Sequence, residues 1–266
     1  MPARDRVYRV EGVVLRRQNL GEADRLTTIF TLERGKMRLL AKGVRRPASR
    51  KAGHLEPFSR VALLVARGRN LDLVTQAEAL ESYPALRQDL DLLARGSYVV
   101  ELLDRFSVEE GVENRSLYDL LVHTLDELSK RQIEPEAVVL FFSMRLLDHV
   151  GFRPELFQCL ACSAEIMPQD QFFSFHRGGV LCPACGSREA ERQSISLASL
   201  KILRHYQRSS FKAATMPSVR TAVFREIGAL MEGYLTYLLE RRLNTPAFLR
   251  DLDQHTGYQI QGNAKE

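Results

Sequence analysis

Four cysteines in two matched pairs constrain the fold of this chain more than any other feature. Cys159 and Cys162 form one C-x2-C pair, Cys182 and Cys185 form a second, and nineteen residues lie between the pairs. This spacing is typical of a four-cysteine zinc site, in which two tight turns each present two thiolates to one tetrahedral ion. Because protein thiolates fill all four positions, the pattern predicts one structural Zn2+ per chain, with no open position for a catalytic water.

Three other uses of the cysteines compete with a metal site. Two disulfides would suit an oxidising compartment, but residues 1–6 lead straight into a strand pattern, with no secretory signal. A redox C-x-x-C would be expected beside a βαβ pattern, and unpaired core thiols would leave the matched spacing unexplained. His176 lies between the pairs and could replace a cysteine, although a surface histidine is the simpler interpretation. The segment Phe172–Val180 predicts a small hairpin that turns at Gly178 and Gly179.

The remaining composition is that of an ordinary globular protein. Of the 266 residues, 45% are hydrophobic and 27% are charged, and this length suits about two domains. The apolar run Ala137–Phe142 is far shorter than the ~20 residues that cross a bilayer. We therefore expect a cytoplasmic protein without a membrane partner.

The first eighty residues predict a small β-barrel. Short, alternating segments rich in β-branched residues are separated by turn signals such as Arg34-Gly35. Five strands in so short a region suit the OB-fold, a five-stranded barrel that commonly binds single-stranded nucleic acid, and an SH3-like barrel fits the same pattern. The predicted strands are Val7–Arg16, Arg25–Leu32, Lys36–Ala41, Phe58–Ala66 and Leu71–Ala79.

Positive charge is concentrated in the same region. Residues 1–80 contain 17 Lys and Arg against 8 Asp and Glu, a net +9, whereas the whole chain carries +5. The stretch Lys42–His54 between the third and fourth strands contains no acidic residue and is irregular because of its Gly, Pro and Ser content. Together with neighbouring strands it predicts a cationic groove for a phosphate backbone, although a loop with only weak polyanion affinity is the alternative. The candidate DNA-binding residues are Arg16, Arg17, Arg25, Lys36, Arg38, Lys42, Arg45, Arg46, Arg50 and Lys51.

Aromatic residues for base stacking are scarce in this region. Before Tyr83 it contains only Tyr8, Phe30 and Phe58, and at least two of them are expected in the core. Base-specific readout is therefore not predicted.

After Pro84 the apolar period becomes helical. One or two helices are predicted from Pro84 to Arg105, and Ser116–Asp119 resembles a capping box that opens the next helix. A third helix is predicted from Pro135 to a C′ glycine at Gly151, with a nearly all-apolar middle that suits the centre of a bundle. Beyond the cysteines, helices are predicted over Leu197–Gln207 and Ser218–Leu243.

The resulting fold class is a multidomain α+β protein: an N-terminal OB-fold-like five-stranded β-barrel, then an α-helical domain with an inserted four-cysteine zinc finger. The predicted domains are a DNA-binding barrel at residues 1–82, a helical domain at 83–157 and 190–252, the zinc insertion at 158–189, and a flexible polar tail at 253–266. No phosphate-binding loop, dinucleotide-binding glycine motif, nucleophile elbow or zinc-protease motif occurs, so the sequence favours a non-enzymatic protein without a small-molecule substrate.

Several segments, in the order in which they occur along the chain, resemble the RecO family of bacterial recombination mediators. The resemblance covers nearly the whole chain, and the complete cysteine set places it with the zinc-bearing branch, since some members lack the cysteines. The segments that carry it are Val10–Leu15, Gly21–Thr27, Gly35-Lys36, Lys42–Arg46, and Gly151–Leu156 just before Cys159.

The resemblance implies a DNA-repair role. Such proteins bind single- and double-stranded DNA, anneal complementary strands, and act with RecR to load RecA onto strands covered by single-strand-binding protein. In some members the helical domain captures the acidic, apolar tail of that protein. Association with the nucleoid, steep salt dependence and little sequence preference are the corresponding expectations.

Two other classes of protein fit the residues. A zinc-ribbon transcription regulator would also be basic and bear four cysteines, but it should prefer one duplex sequence. A scaffold whose basic face meets RNA or an acidic protein is the other alternative.

Overall fold

The computed structural model describes residues 6–108, 114–216, 218–240, 243 and 245. The chain divides into two compact units, Met1–Gln132 and Ile133–Glu266. The helices predicted as one domain from residue 83 are therefore divided between the units. The polar tail predicted at 253–266 lies outside the described residues.

The first unit contains the predicted five-stranded barrel, closed in the order β1-β2-β3-β5-β4. All neighbouring pairs are antiparallel except β3 and β5, which close the barrel in parallel through Leu39–Asp72 and Leu40–Leu73. The strands are β1 (Val7–Leu20), β2 (Asp24–Thr31), β3 (Gly35–Ala41), β4 (Arg60–Ala66) and β5 (Asp72–Glu81).

The first strand is longer than predicted. Its pairing with β4 covers Val7–Val13, whereas its pairing with β2 continues to Leu20 opposite Asp24. Arg16 to Leu20 are all exposed. These residues do not alternate between apolar and polar, so the sequence pattern predicts a strand that ends too early. Backbone pairing nevertheless extends the β1–β2 ribbon beyond the barrel.

The barrel core also receives two side chains from the loop between β3 and β4. Val44 and Leu55 are 0% and 1% exposed and pack with the strand residues of the core. Each such burial contributes about 1.5–3 kcal/mol. The loop is therefore anchored by Val44 within its basic segment and by Leu55 after it. The strand residues in this core are Val10, Val14, Ile29, Met37, Leu39, Ala41, Val61, Leu63, Val65 and Val74.

Three helices complete the first unit: α1 (Ala85–Gln88), α2 (Leu90–Phe106) and α3 (Arg115–Lys130). The predicted capping box at Ser116 is wrong. Asn114 is the N-cap, and its side chain accepts a hydrogen bond from the Leu117 amide at 3.1 Å, while Ser116 lies inside the helix. Glu11 joins α3 to the barrel, since its Oε1 accepts from the Tyr118 hydroxyl at 2.8 Å and pairs with Arg60 at 2.6 Å.

The second unit is built around α4 (Pro135–His149). As predicted, its middle is buried, with Val138 and Phe142 at 1% and 0% exposure. Gly151 follows the helix end with φ +82°, the left-handed conformation expected of a C′ glycine. The other helices are α5 (Pro183–Gly186), α6 (Leu197–Arg208), α7 (Phe211–Thr215) and α8 (Thr221–Leu239).

A three-stranded sheet of order β7-β6-β8 lies between α4 and α6 in the chain. The predicted hairpin corresponds to β6 (Gln171–Ser174) and β7 (Gly179–Leu181), and Gly178 supplies the left-handed residue of the turn. The third strand of this sheet, β8 (Gln193–Ile195), was not predicted, because two of its three side chains are exposed and give no apolar pattern. Within the described residues, no helix combines the length and apolar character needed to cross a membrane.

Candidate nucleic-acid interface and metal centre

The first cysteine pair lies on a tight turn. The Ser163 amide donates to the Cys159 carbonyl at 2.8 Å, and Ser163 adopts φ +61°. The Cys159 amide donates to the Ala164 carbonyl at 2.9 Å. The turn therefore places the two thiols of Cys159 and Cys162 on one side of the backbone.

The second pair lies at the start of the short helix α5, with Cys182 just before it and Cys185 inside it. Cys182 is its N-cap residue, and its carbonyl accepts from the amides of Cys185 at 3.1 Å and Gly186 at 2.8 Å. A Cβ on Gly186 would collide with the Phe172 ring, so glycine permits the close packing of α5 on β6. The hairpin sheet thus fixes the second turn opposite the first.

The structure brings all four cysteines together. Their Sγ atoms lie within 4.8 Å of one another, with Cys162 and Cys182 at 3.9 Å. A tetrahedral ion with metal–sulfur bonds of ~2.3 Å requires sulfurs a little under ~4 Å apart, whereas a disulfide requires ~2.05 Å. The four cysteines are unpaired. Their arrangement fits a bound metal ion and excludes the two-disulfide alternative in this structure.

The pKa values of the thiols also show why a cation would stabilise the cluster. Burial raises the pKa of Cys159, but backbone amides, including that of Cys182 at 3.3 Å, outweigh burial and lower this pKa to about 6. Hydrogen bonding to Cys182 and Cys162 raises the pKa of Cys185 to about 12. Four neighbouring thiols cannot all ionise without a positive charge among them, and a divalent ion supplies that charge.

His176 lies apart from the sulfur cluster. It is exposed on the hairpin turn, and its Nδ1 lies 3.1 Å from the Tyr237 hydroxyl of α8. Across the described residues, the grouped ligands are the four cysteines alone.

The basic loop, which we define as Lys42–Lys51, is fastened to the tip of the β1–β2 ribbon. The Gly43 amide donates to Asp24 at 2.7 Å, and the Arg45 amide donates to the Ala23 carbonyl at 2.9 Å. The Arg45 guanidinium donates to the Gly21 carbonyl at 2.9 Å. Lys51 closes the loop by donating to the Lys42 carbonyl at 3.2 Å.

Most cations of this loop are available to a ligand. Lys42, Arg45, Arg46 and Arg50 are exposed, and in the described part of the chain they make no ion pair. A fixed backbone with exposed cationic side chains is suited to a phosphate chain, because little order must be imposed on binding.

The strand register places the other candidate DNA-binding residues on two opposite faces of the sheet. Arg16 and Arg38 both lie opposite Thr28, one on each side, so they share a face of the sheet. Arg17 follows Arg16 and therefore points to the other face, which it shares with Arg25. Arg38 is exposed, whereas Arg16 pairs with Asp104 at 3.8 Å. On the second face, Glu56 pairs with both Arg17 and Arg25.

Lys36 is a buried structural residue and does not lie on the protein surface. Its side chain is 8% exposed, and its Nζ donates to the Asp104 carbonyl at 2.6 Å and lies 3.3 Å from the Asp104 carboxylate. It connects β3 to α2, so we withdraw it from the candidate DNA-binding residues. Sequence reasoning missed Asp104 and Glu56, since an acidic partner distant in sequence leaves no local signal.

The structure also shows where the three aromatic residues before Tyr83 lie. Phe30 and Phe58 are 2% and 1% exposed, in agreement with the core assignment of two of them. Tyr8 donates its hydroxyl to Asp72, and the Arg34 guanidinium lies 4.1 Å from its ring centroid. Burial, followed by the bond to Asp72, raises the pKa of Tyr8. None of the three lies on the basic loop.

Comparison with known proteins gives one consistent result. The family described as "Recombination protein O N terminal" matches residues 6–83, and "Recombination protein O C terminal" matches residues 87–247. The chain is 39% identical to "DNA repair protein RecO" of Roseiflexus sp. (strain RS-1), over 94% of this chain and 88% of that protein. It is 37% identical to the proteins of the same name from Desulforudis audaxviator (92% of this chain, 97% of that protein) and Bifidobacterium longum subsp. infantis (90% and 97%).

Proposed function

Since the chain belongs to the RecO family of recombination proteins, we propose that it is a DNA-repair protein that binds DNA and anneals complementary strands. It acts without enzymatic catalysis and without reading base sequence. The basic loop carries this proposal, because it holds exposed arginine and lysine side chains on a backbone fastened to the barrel.

The mechanism follows from charge. Two complementary strands repel one another through their phosphates, and a cationic surface lowers this repulsion while releasing condensed counterions. With no aromatic side chain on the loop, the surface cannot sort bases by stacking, so base pairing between the strands supplies the specificity. The protein then accelerates the encounter of any complementary pair.

We further propose that the cysteine cluster holds one structural Zn2+ through Cys159, Cys162, Cys182 and Cys185. The four thiolates would complete the coordination of the ion and tie the two turns together, and the ion would supply cross-linking of the fold rather than chemistry. The family resemblance adds RecR and single-strand-binding protein as partners, with RecA loaded indirectly, and action at the nucleoid.

Strand annealing tests the proposal directly. Two complementary oligonucleotides are mixed with and without the protein, without nucleotide cofactor, and duplex formation is followed by fluorescence quenching. We expect acceleration that disappears at high salt. The double variant Arg45→Ala, Arg46→Ala should anneal poorly, and the slope of its log affinity for single strands against log salt should fall by about 1.4 in magnitude.

The matched control is Arg220→Ala with Arg225→Ala. It removes the same charge from exposed positions of the second unit. This control should anneal like the wild type if the basic loop is the site. Equal losses in both double variants would mean that net charge alone matters, and normal annealing by the loop variant would refute the loop's role.

A further inference from the structure

Glu56 contacts two arginines with a single carboxylate oxygen. Its Oε1 is ion-paired with Nη1 of Arg17 and lies 3.7 Å from Nη1 of Arg25. The two arginines come from neighbouring strands and share one face of the β1–β2 ribbon. We name this arrangement the Glu56 clasp.

The clasp has the geometry of an occupied anion site. Two guanidinium groups converging on one oxygen are the arrangement with which proteins hold a phosphate oxygen. Arg25 is further oriented by its Nε, which donates to Asn19 Oδ1 at 3.3 Å. One side of the site is therefore already fixed in the absence of a ligand.

Glu56 is held in position by its neighbours in the chain. Leu55 is 1% exposed in the barrel core, and the Ser59 amide donates to the Glu56 carbonyl at 3.2 Å. Between Glu33 and Glu56 the chain contains no acidic residue, so Glu56 is the first carboxylate after the basic loop. Glu56 thus places its negative charge directly beside Arg17 and Arg25.

The clasp is also exposed enough for a phosphate group to replace the Glu56 carboxylate. The side chains of Arg17, Glu56 and Arg25 are 33%, 30% and 19% exposed. A phosphate can therefore approach the arginines while the Glu56 carboxylate turns into water, and no charge is left buried and unpaired.

We propose that Arg17 and Arg25 form a phosphate-binding subsite for a DNA strand, and that Glu56 occupies this subsite as an internal competitor until the strand displaces it. The proposal rests on the DNA-binding function proposed above. By weakening the hold on each strand, Glu56 keeps binding reversible, which annealing requires because the product must leave.

The test is a substitution that should improve binding. Anisotropy of a labelled oligo(dT) about 20 nucleotides long, at ~0.1 M salt, reports affinity. Glu56→Gln keeps the shape and removes the competing charge, so we expect affinity to rise about two- to fivefold. Glu22→Gln is the matched control: it changes net charge equally on the exposed ribbon tip and should alter affinity by less than about twofold, because screening limits distant effects.

Repeating the Glu56→Gln substitution in a protein that lacks both arginines shows whether the gain in DNA affinity depends on them. In a protein that already carries Arg17→Ala and Arg25→Ala, Glu56→Gln should no longer raise affinity. Glu56→Asp, which keeps the charge but is too short to reach both guanidiniums, should give a smaller gain, and it serves if the glutamine variant fails to fold.

The outcomes separate the two proposals. If the wild type binds DNA through the basic loop and Glu56→Gln and Glu56→Asp both bind no better, the clasp is only a structural ion pair and the inference is overturned. The inference also fails if the gain persists without the two arginines. If the wild type does not bind DNA at all, the proposed function and this inference both fail.

Discussion

At the scale of single residues, the structure separates cations that the sequence presents as equivalent. Lys36 and Arg38 are two positions apart on β3 and lie on the same face of the sheet. The first is buried against Asp104 of α2, while the second is exposed and, among the described residues, makes no ion pair. The difference arises from α2, which covers one end of this face and leaves the other open.

This difference predicts opposite effects of two substitutions. Lys36→Met keeps the aliphatic stem but leaves the Asp104 carbonyl and carboxylate without the ammonium, so the free energy of unfolding should fall by about 2–3 kcal/mol. DNA affinity of the folded fraction should stay the same. Arg38→Ala should leave unfolding unchanged and weaken DNA binding. Urea unfolding and oligonucleotide anisotropy measure the two effects, and weaker DNA binding by stably folded Lys36→Met would return Lys36 to the binding surface.

The spacing of the cysteines predicted which side chains would cluster, because C-x2-C depends only on local turns. The assignment of individual arginines required the structure. Arg17 and Arg25 become one site through the register of β1 with β2, and Glu56 joins them from a loop thirty-one residues beyond Arg25. Such a contact depends on the strand register and on the position of the loop that carries Glu56, and no local pattern encodes either of them.

At the scale of elements, α6 begins against a carboxylate from α8. The Ser196 amide and hydroxyl donate to Glu226 at 2.6 Å and 2.7 Å, and Ser196 itself caps α6 by accepting from the Ser199 amide. A negative charge at a helix N-terminus is favourable, because unpaired amides and the helix dipole converge there. Burial raises the pKa of Glu226, but the hydrogen bonds from Ser196 and Ser199 outweigh it and leave the pKa below its usual value.

The lowered pKa of Glu226 predicts a pH-dependent loss of stability. A carboxyl group with a depressed folded-state pKa stabilises the fold fully above its unfolded pKa of ~4.3, and that contribution is lost as the pH falls through the folded value. Glu226→Gln should therefore lower the free energy of unfolding by about 0.5–1 kcal/mol near neutral pH. Thermal unfolding from about pH 7 to 3 should show the gap between variant and wild type closing below ~4.3.

The control for this experiment is Glu191→Gln, an exposed carboxylate before β8. It should unfold like the wild type throughout the range. A gap for Glu226→Gln that stays constant with pH would show that packing, and not the ionised carboxylate, makes the contribution.

Elements with an apolar period were predictable, and those without one were not. The barrel strands and α4 show strong patterns and occur where they were expected. The outer half of β1 and the strand β8 consist largely of exposed polar side chains, so only backbone pairing with a neighbour defines them. The cap of α3 was misplaced because Asn114 and Ser116 are both favourable N-cap residue types, and the helix begins directly after the first of them.

At the scale of the whole molecule, the two candidate sites lie in different compact units. The basic loop and the Glu56 clasp belong to Met1–Gln132, and the cysteine cluster belongs to Ile133–Glu266. The barrel has its own core, with Val44 and Leu55 buried in it, and α4 is buried in the second unit. We therefore expect the stability of the basic surface not to depend on the proposed metal ion.

This separation predicts that losing the metal destabilises the second unit and leaves DNA binding in place. Cys182→Ser removes one of the four proposed ligands but keeps the backbone amide that donates to Cys159 Sγ, so zinc should fall from one per chain towards none. The unfolding temperature of the second unit should drop by ~10 °C or more, since ligation free energy is folding free energy in such sites. Affinity for oligo(dT), measured below that transition, should change by less than about twofold, because the basic loop makes its contacts within the first unit.

His176→Ala provides the comparison, since it alters the same hairpin outside the sulfur cluster and should retain the metal. Zinc content by atomic absorption, unfolding by calorimetry and oligo(dT) anisotropy are measured on the same preparations. An unchanged unfolding temperature in metal-free Cys182→Ser would rule out a structural metal. Parallel loss of zinc and DNA affinity would instead mean that the second unit forms part of the DNA-binding surface, and the basic loop alone would then be too small a site.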